Sequence, residues 1–137
     1  MAALPFEELP HTADLRLRVT GPDLATLYSH AGQGLCALLR CQAGAAPQPI
    51  SRRITLEADD LETLLVDWLN ELLYLIEKHH ECYHGFCIER LEGCNLQALA
   101  LGWSDQHPGR AVKAATFHAL RIDSGPAGYE AIITLDV

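Results

Sequence analysis

One long amphipathic segment constrains the fold more than any other feature of the sequence. Apolar side chains recur between residues 61 and 77 at the three- and four-residue spacing of an α-helix. They are Leu61, Leu64, Leu65, Trp68, Leu69, Leu72 and Ile76. Asp59 stands three residues before Glu62, which is a variant of the capping box and predicts that Asp59 caps the helix. A stripe this wide must be covered, and we expect a β-sheet to cover it.

A second helix and several strands accompany this segment. Apolar residues follow helical spacing from Leu24 to Leu39, and Pro22 with Asp23 marks the helix start. Period-two alternation and turn residues predict strands at 14–19, 50–58, 85–91, 96–103, 112–122 and 129–137, with a turn over 123–128. The late strands are consecutive. This order predicts an α+β fold, a two-layer, mainly antiparallel or mixed sheet with two main helices packed on one face.

Length and charge limit the classes of function. The 137 residues predict a single domain over 1–137. A net charge of -8 argues against broad binding to nucleic-acid backbones, which requires a surplus of Lys and Arg. No apolar run approaches the roughly 20 residues that span a bilayer, and the first residues do not have the pattern of a signal peptide. Five cysteines, an odd number, predict free thiols in the cytoplasm, with Cys36 a core thiol and Cys41 a loop thiol.

Residues 79–87 hold three imidazoles and two thiols, all competent zinc ligands. Their spacing matches no established zinc finger, and Lys78, His79 and His80 also suit the negative end of a helix dipole. We find no Ser-His-Asp order with a nucleophile elbow. Gly32 and Gly34 lie within a predicted helix, so they do not form a dinucleotide-binding turn. A free-standing nucleophilic enzyme is therefore poorly supported.

The last strand places two anions together, the side chain of Asp136 and the α-carboxylate of Val137. If Asp14 lies close to them, three carboxylates share one place, and their repulsion is tolerable only with a cation or with raised pKa values. Oxygen ligands select a hard ion such as Ca²⁺, Mg²⁺ or Mn²⁺. The alternative is that Asp14 caps a turn and that the last residues are frayed and solvated.

Four segments together resemble the archease family. They are His-Thr-Ala-Asp at 11–14, the helical run 59–73, Val-Lys-Ala-Ala-Thr-Phe-His at 112–118 and Thr-Leu-Asp-Val at 134–137. The likeness covers nearly the whole chain, in the same order and at similar spacing. Each motif alone is weak, whereas four in sequence are specific.

This resemblance implies a protein cofactor of the RtcB-type RNA ligase, not an enzyme. That ligase joins RNA ends carrying a 2′,3′-cyclic phosphate or 3′-phosphate to 5′-hydroxyl ends in tRNA splicing and RNA repair. Members of the family promote guanylylation of the ligase's histidine, permit multiple turnover and broaden nucleotide use. The resemblance also implies that Asp14, Asp136 and Val137 bind a divalent metal, with Ca²⁺ favoured and Mg²⁺ or Mn²⁺ as alternatives. Neither direct stable nucleic-acid binding nor a membrane is expected.

Further candidates surround these ligands. His11 either orients Asp14 or makes a structural hydrogen bond to its loop. Lys113 and His118 are expected to line the same polar region, and the alternative for Lys113 is a solvated strand lysine. Phe117 occupies a position where the family often has Tyr, which puts any role of a phenolic hydroxyl in doubt. A rival hypothesis is a calcium-stabilised interaction module or general chaperone without a dedicated ligase partner. A small hydrolase that uses His118 ranks last, because no nucleophile motif accompanies it.

Overall fold

The computed structural model describes residues 5–9 and 14–137, within which there are two helices and ten strands. The helices are α1 (Leu24–Leu39) and α2 (Leu61–His79). The strands are β1 (Phe6–Leu9), β2 (Leu15–Gly21), β3 (Gln42–Ala43), β4 (Pro49–Glu57), β5 (Cys82–Glu92), β6 (Asn95–Trp103), β7 (Gln106–His107), β8 (Ala114–Thr116), β9 (Ile122–Gly125) and β10 (Gly128–Asp136). His11 and the rest of 10–13 lie outside the described residues, as do residues 1–4.

The strands form three sheets, and every pairing within the described residues is antiparallel. One sheet has the order β1-β2-β10-β8, with β9 also paired to β10. A second has the order β4-β6-β5, and β3 pairs with β7 in the third. Helix α1 contacts both β2 and β5, whereas α2 contacts β8 and β4. The predicted α+β class is confirmed, and the structure refines the expected single sheet into three.

The stripe of α2 forms the centre of the core. Six of its seven residues have an exposed fraction of 1% or less, and Trp68 is fully buried. The Trp68 Nε1–H donates a hydrogen bond of 2.9 Å to the carbonyl oxygen of Tyr28 in α1. A buried indole needs such a partner, because an unpaired donor would lose its hydration without compensation. The predicted core role of Trp68 is confirmed.

Both helices are capped by an aspartate that immediately precedes the first helical residue. Asp23 accepts a hydrogen bond of 2.8 Å from the backbone N–H of Thr26. In α2 the cap is Asp60, which accepts from Thr63 N–H at 2.7 Å. The prediction that Asp59 caps α2 was therefore wrong by one residue. The extended backbone of Asp60 brings its carboxylate to an unpaired N–H of the first turn, the geometry that an N-cap requires.

The predicted strand over 112–122 was wrong, since the chain forms two short strands there. Strand β8 pairs with the last residues of β10, and β9 pairs with its first residues. Between them the chain turns at Ala119, which has a φ of 53°. The predicted turn over 123–128 shortens to Pro126 and Ala127, followed by Gly128 at a φ of 120°. A Cβ at Gly128 would collide with the carbonyl oxygen of Gly21, so this hairpin requires glycine.

Neither helix in the described part of the chain combines the length and the apolar character that crossing a membrane requires.

Candidate metal centre

The register of β2 and β10 brings Asp14 towards Asp136. The last printed pair of this antiparallel ladder is Leu15 with Leu135. One further step in the same register sets Asp14 opposite Asp136. Residues directly opposite in an antiparallel pair have Cβ atoms about 4.5–5.5 Å apart and point to the same face. The register therefore directs the two carboxylates, 122 positions apart in sequence, to the same face at one end of the sheet.

Val137 and Lys113 lie at the same end. The backbone N–H of Lys113 donates to the carbonyl oxygen of Asp136 at 2.8 Å, and Asp136 pairs with Ala114 of β8. One further step in that register sets Lys113 opposite Val137. Lys113 is exposed, and the exposed fraction of Val137 is 49%. We refer to Asp14, Asp136 and Val137 as the acidic edge, and Lys113 borders it.

The donor set of the acidic edge fits a hard divalent cation. Asp14 is half-buried and its Oδ1 atom is buried, whereas Asp136 is exposed. Two side-chain carboxylates, joined by an α-carboxylate at Val137, would offer oxygen atoms alone, which are the ligands that Ca²⁺, Mg²⁺ and Mn²⁺ prefer. The Asp14 carboxylate is partly buried and the Asp136 carboxylate faces solvent, so a cation held between them would be accessible from outside.

Asn70 holds β8 in place beside this edge. Its Oδ1 accepts a hydrogen bond of 2.8 Å from the backbone N–H of Ala115, and its Nδ2 donates one of 3.2 Å to the carbonyl oxygen of the same residue. Asn70 thus satisfies both backbone groups of Ala115 from α2, much as a neighbouring strand would. Sequence reasoning missed this role. The available signal was an amide directly after Leu69, beside the apolar stripe of the helix.

His118 lies farther along the sheet than Lys113. Its backbone carbonyl accepts from Thr134 Oγ1 at 3.4 Å, and its N–H donates to Thr116 Oγ1 at 3.3 Å. Thr134 is two residues before Asp136, so the backbone of His118 is anchored away from the acidic edge. The side chains of His118 and Phe117 are exposed. The strand registers direct Asp14, Asp136, Val137 and Lys113 to one end of the sheet, and His118 lies beside Thr134.

The residues from His79 to Cys87 are divided between a helix end and a strand. His79 lies in the last turn of α2, and His80 ends the helix with a φ of 53°. Cys82 then opens β5, in which Cys87 is exposed. Across residues 5–9 and 14–137, no group of three or more His, Cys, Asp or Glu side chains is arranged to hold a metal ion. The acidic edge differs in kind, since it has two such side chains and a main-chain carboxylate as its third proposed ligand.

With this geometry established, comparison with known proteins identifies the family. A model of the Archease protein family (MTH1598/TM1083) matches residues 6–137. The chain belongs to the archease family. It is similar to protein archease of Methanosarcina acetivorans, with 31% identity over 140 residues that cover 96% of this chain and 95% of that protein. Protein archease of Thermococcus gammatolerans is 32% identical over 130 residues, covering 90% and 91% of the two chains.

Solved structures share the archease fold of this chain. The solution structure of Methanobacterium thermoautotrophicum protein 1598 superposes with a TM-score of 0.66 at 24% identity, covering 98% of this chain and 100% of that one. A crystal structure from Thermotoga maritima, described as an archease and "possible chaperone", gives a TM-score of 0.69 at 19% identity, covering 96% of each chain. At these identities the likeness concerns the fold.

Proposed function

We propose that this archease activates an RtcB-type RNA ligase in the cytoplasm. It promotes guanylylation of the ligase's histidine and supports multiple turnover in tRNA splicing and RNA repair. The observation that carries the proposal is the register that sets Asp14 opposite Asp136 in a chain matched to the archease family over residues 6–137. Activation, rather than catalysis of its own, suits a sequence that offers no nucleophile motif.

The acidic edge is the part of the protein that would act on the ligase. Asp14, Asp136 and the α-carboxylate of Val137 would hold a divalent cation, and Ca²⁺ suits this carboxylate set because it tolerates flexible oxygen coordination. Such a cation neutralises negative charge on phosphate groups when it is bound. Asp14 is half-buried directly before β2, whereas the exposed Asp136 can be reached by a partner protein. Lys113 adds a positive charge at the border of the acidic edge.

The charge of the protein supports contact with the ligase rather than with RNA. A net charge of -8 repels a phosphate backbone, so affinity for RNA would have to come from the partner. Docking through an acidic surface would weaken at high ionic strength, because the Debye length falls to about 3 Å at 1 M salt.

Multiple-turnover ligation tests the proposal. The assay uses the ligase from the same organism, RNA with 3′-phosphate and 5′-hydroxyl ends, and either wild-type archease or its Asp136→Ala variant. We expect the variant to abolish activation, since it removes an exposed ligand without disturbing the core. Asp59→Ala is the matched control, because Asp59 is also exposed and Asp60, not Asp59, caps α2. Normal turnover with Asp136→Ala, alongside a folded circular-dichroism spectrum, would refute the proposed role.

The second candidate is a calcium-stabilised general chaperone without a dedicated ligase partner. The description of the Thermotoga maritima protein as a "possible chaperone" favours it. In that case the metal stabilises the fold and does not take part in activation. Chelation that lowers the melting temperature of the archease without any change in ligase guanylylation would support the chaperone and count against the activator.

A further inference from the structure

Three cysteine side chains line one cavity, and Asp14, Asp136 and Val137 are not among its lining residues. Cys36 lies in α1, Cys41 follows the end of that helix, and Cys82 opens β5. The Sγ atoms of Cys41 and Cys82 are 2.6 Å apart, and the Cys36 thiol also shares a hydrogen bond with Cys82. All three are free thiols. The separation of Cys41 and Cys82 is within about 0.6 Å of the S–S bond length of about 2.05 Å.

Backbone geometry from several elements fixes the contact. Arg40 ends α1 with a φ of 49°, which turns the chain so that Cys41 lies beside the sheet. Cys82 pairs with Trp103, and Gly102 accommodates its carbonyl oxygen, since a Cβ at Gly102 would collide with that atom. Cys82 is therefore held within strand β5, and Cys41 lies in the short connection between α1 and β3.

The surroundings favour a negative charge on the Cys82 sulfur. Hydrogen bonds from the thiols of Cys36 and Cys41 lower the pKa of Cys82, and the same contacts raise the pKa of the two donors. The thiolate is the reactive form of cysteine. Cys82 and Cys41 are half-buried and line a cavity of about 500 Å³ that Arg40 and His84 also line. A small reagent can thus reach a sulfur whose neighbours stabilise its anion.

We propose that Cys82 and Cys41 form a peroxide-reactive thiol pair that closes an intramolecular disulfide. The Cys82 thiolate attacks the terminal oxygen of a hydroperoxide, so that an S–O bond forms, the O–O bond breaks and an alkoxide leaves and takes a proton from solvent. The product is the sulfenic acid of Cys82. The Cys41 thiol then attacks that sulfur, the S–S bond forms, the S–O bond breaks, and water leaves with the thiol proton. Two thiols lose two electrons in total, and the hydroperoxide is reduced to an alcohol and water.

The disulfide would tie the end of α1 to the start of β5. It closes a loop between positions 41 apart in sequence, which restricts the unfolded chain more than the folded one. Because the sulfurs are already nearly in bonding distance, little rearrangement accompanies closure. Oxidation should therefore leave the fold intact and raise the melting temperature by roughly 7–15 °C.

Peptide mapping of the wild-type protein after oxidation tests the proposal. We expect hydrogen peroxide at a few equivalents to lower the intact mass by about 2 Da, as two thiols become one disulfide. Non-reducing digestion should link the peptides that contain Cys41 and Cys82, and dithiothreitol should reverse the change. In Cys41→Ser the sulfenic acid of Cys82 should persist long enough to be trapped by dimedone.

Cys87→Ser and Cys94→Ser are the matched controls, since each removes a thiol outside the cluster and should leave the disulfide unchanged. A disulfide that maps to any pair other than Cys41 and Cys82 would overturn the proposal. Oxidation of exposed Cys87 while Cys41 and Cys82 remain unmodified would also overturn the proposal. Both results are obtained with the wild-type protein, so the test remains decisive even if a variant of Cys41 or Cys82 folds poorly.

Discussion

Replacing Asp136 with Asn should affect stability in opposite directions in the absence and in the presence of calcium. The substitution keeps the size and shape of the side chain and removes one negative charge from the acidic edge. Without metal, Asp14 and Asp136 repel each other, so Asp136→Asn should stabilise the protein. With metal, the wild-type protein gains binding energy that the variant loses. The sign of the difference should therefore reverse on addition of calcium.

The magnitudes follow from the register of β2 and β10. Opposed carboxylates roughly 5 Å apart repel by about 0.8 kcal/mol at the dielectric constant of water and by about 3.3 kcal/mol at an effective value of 20. Asp136 is exposed, so the free energy of unfolding should rise by about 1 kcal/mol in the variant, or roughly 3–5 °C in melting temperature. Calcium at 100 times its dissociation constant should stabilise the wild-type protein by about 2.7 kcal/mol, or roughly 10 °C.

Thermal unfolding followed by circular dichroism, in EDTA and across a calcium titration, measures both effects. Asp59→Asn is the charge-matched control and should behave like the wild type in both conditions. High salt should reduce the advantage of Asp136→Asn in EDTA, since screening weakens the repulsion. Equal melting temperatures in EDTA together with an undiminished calcium response in Asp136→Asn would refute the reasoning, because they would mean that Asp136 neither repels Asp14 nor binds the ion.

Three further perturbations test separate parts of the structure. A short Gly-Ser tail after Val137 should abolish the calcium-dependent rise in melting temperature while leaving the value in EDTA within a degree or so of the wild type; an unchanged response would exclude the α-carboxylate as a ligand. Asn70→Ala should lower the free energy of unfolding in urea by roughly 2 kcal/mol, because it leaves backbone groups of β8 unpaired, whereas exposed Asn95→Ala should change it little. The pKa of Asp60 is lowered by its hydrogen bond to the backbone N–H at the start of α2, so its stabilising contribution is present above the unfolded pKa of about 3.9 and is lost as pH falls through the lower folded value. Wild type should therefore lose more stability between about pH 4 and pH 2 than Asp60→Ala; identical acid titrations of the two would contradict this role.

The periodicity of apolar residues predicted those helices and strands whose hydrophobic pattern lies within one continuous stretch of sequence. The α2 stripe predicted that helix and its buried Trp68, because seven apolar side chains at helical spacing leave few alternatives. The same reasoning placed the cap one residue early, since Asp59 and Asp60 are both plausible caps and only the backbone conformation selects between them. It also merged β8 and β9, because alternation continues through the turn at Ala119.

The candidate site could be predicted from the sequence only because the resemblance to the archease family linked residues that are distant in the chain. Asp14 and Asp136 each lie one residue beyond the last pair of β2 and β10, a pairing that no local pattern specifies, and the four motifs supplied that link. No motif predicted the contact between Cys41 and Cys82. It depends on the left-handed Arg40 and on the close approach of β5 to Gly102, and neither feature is encoded near the cysteines in a recognisable form. The role of Asn70 could not be predicted either, because its hydrogen-bond partner Ala115 is 45 residues away in the sequence.

The rate at which the ligase is guanylylated shows whether this archease activates it. The RtcB-type ligase from the same organism is incubated with GTP and divalent metal, alone or with stoichiometric archease, and the rate at which the ligase–GMP adduct forms is measured. We expect a clear acceleration by the wild-type protein and by Asp59→Asn, and none by Asp136→Asn. An unchanged rate in the presence of the wild-type protein, or full acceleration by Asp136→Asn, would contradict this expectation.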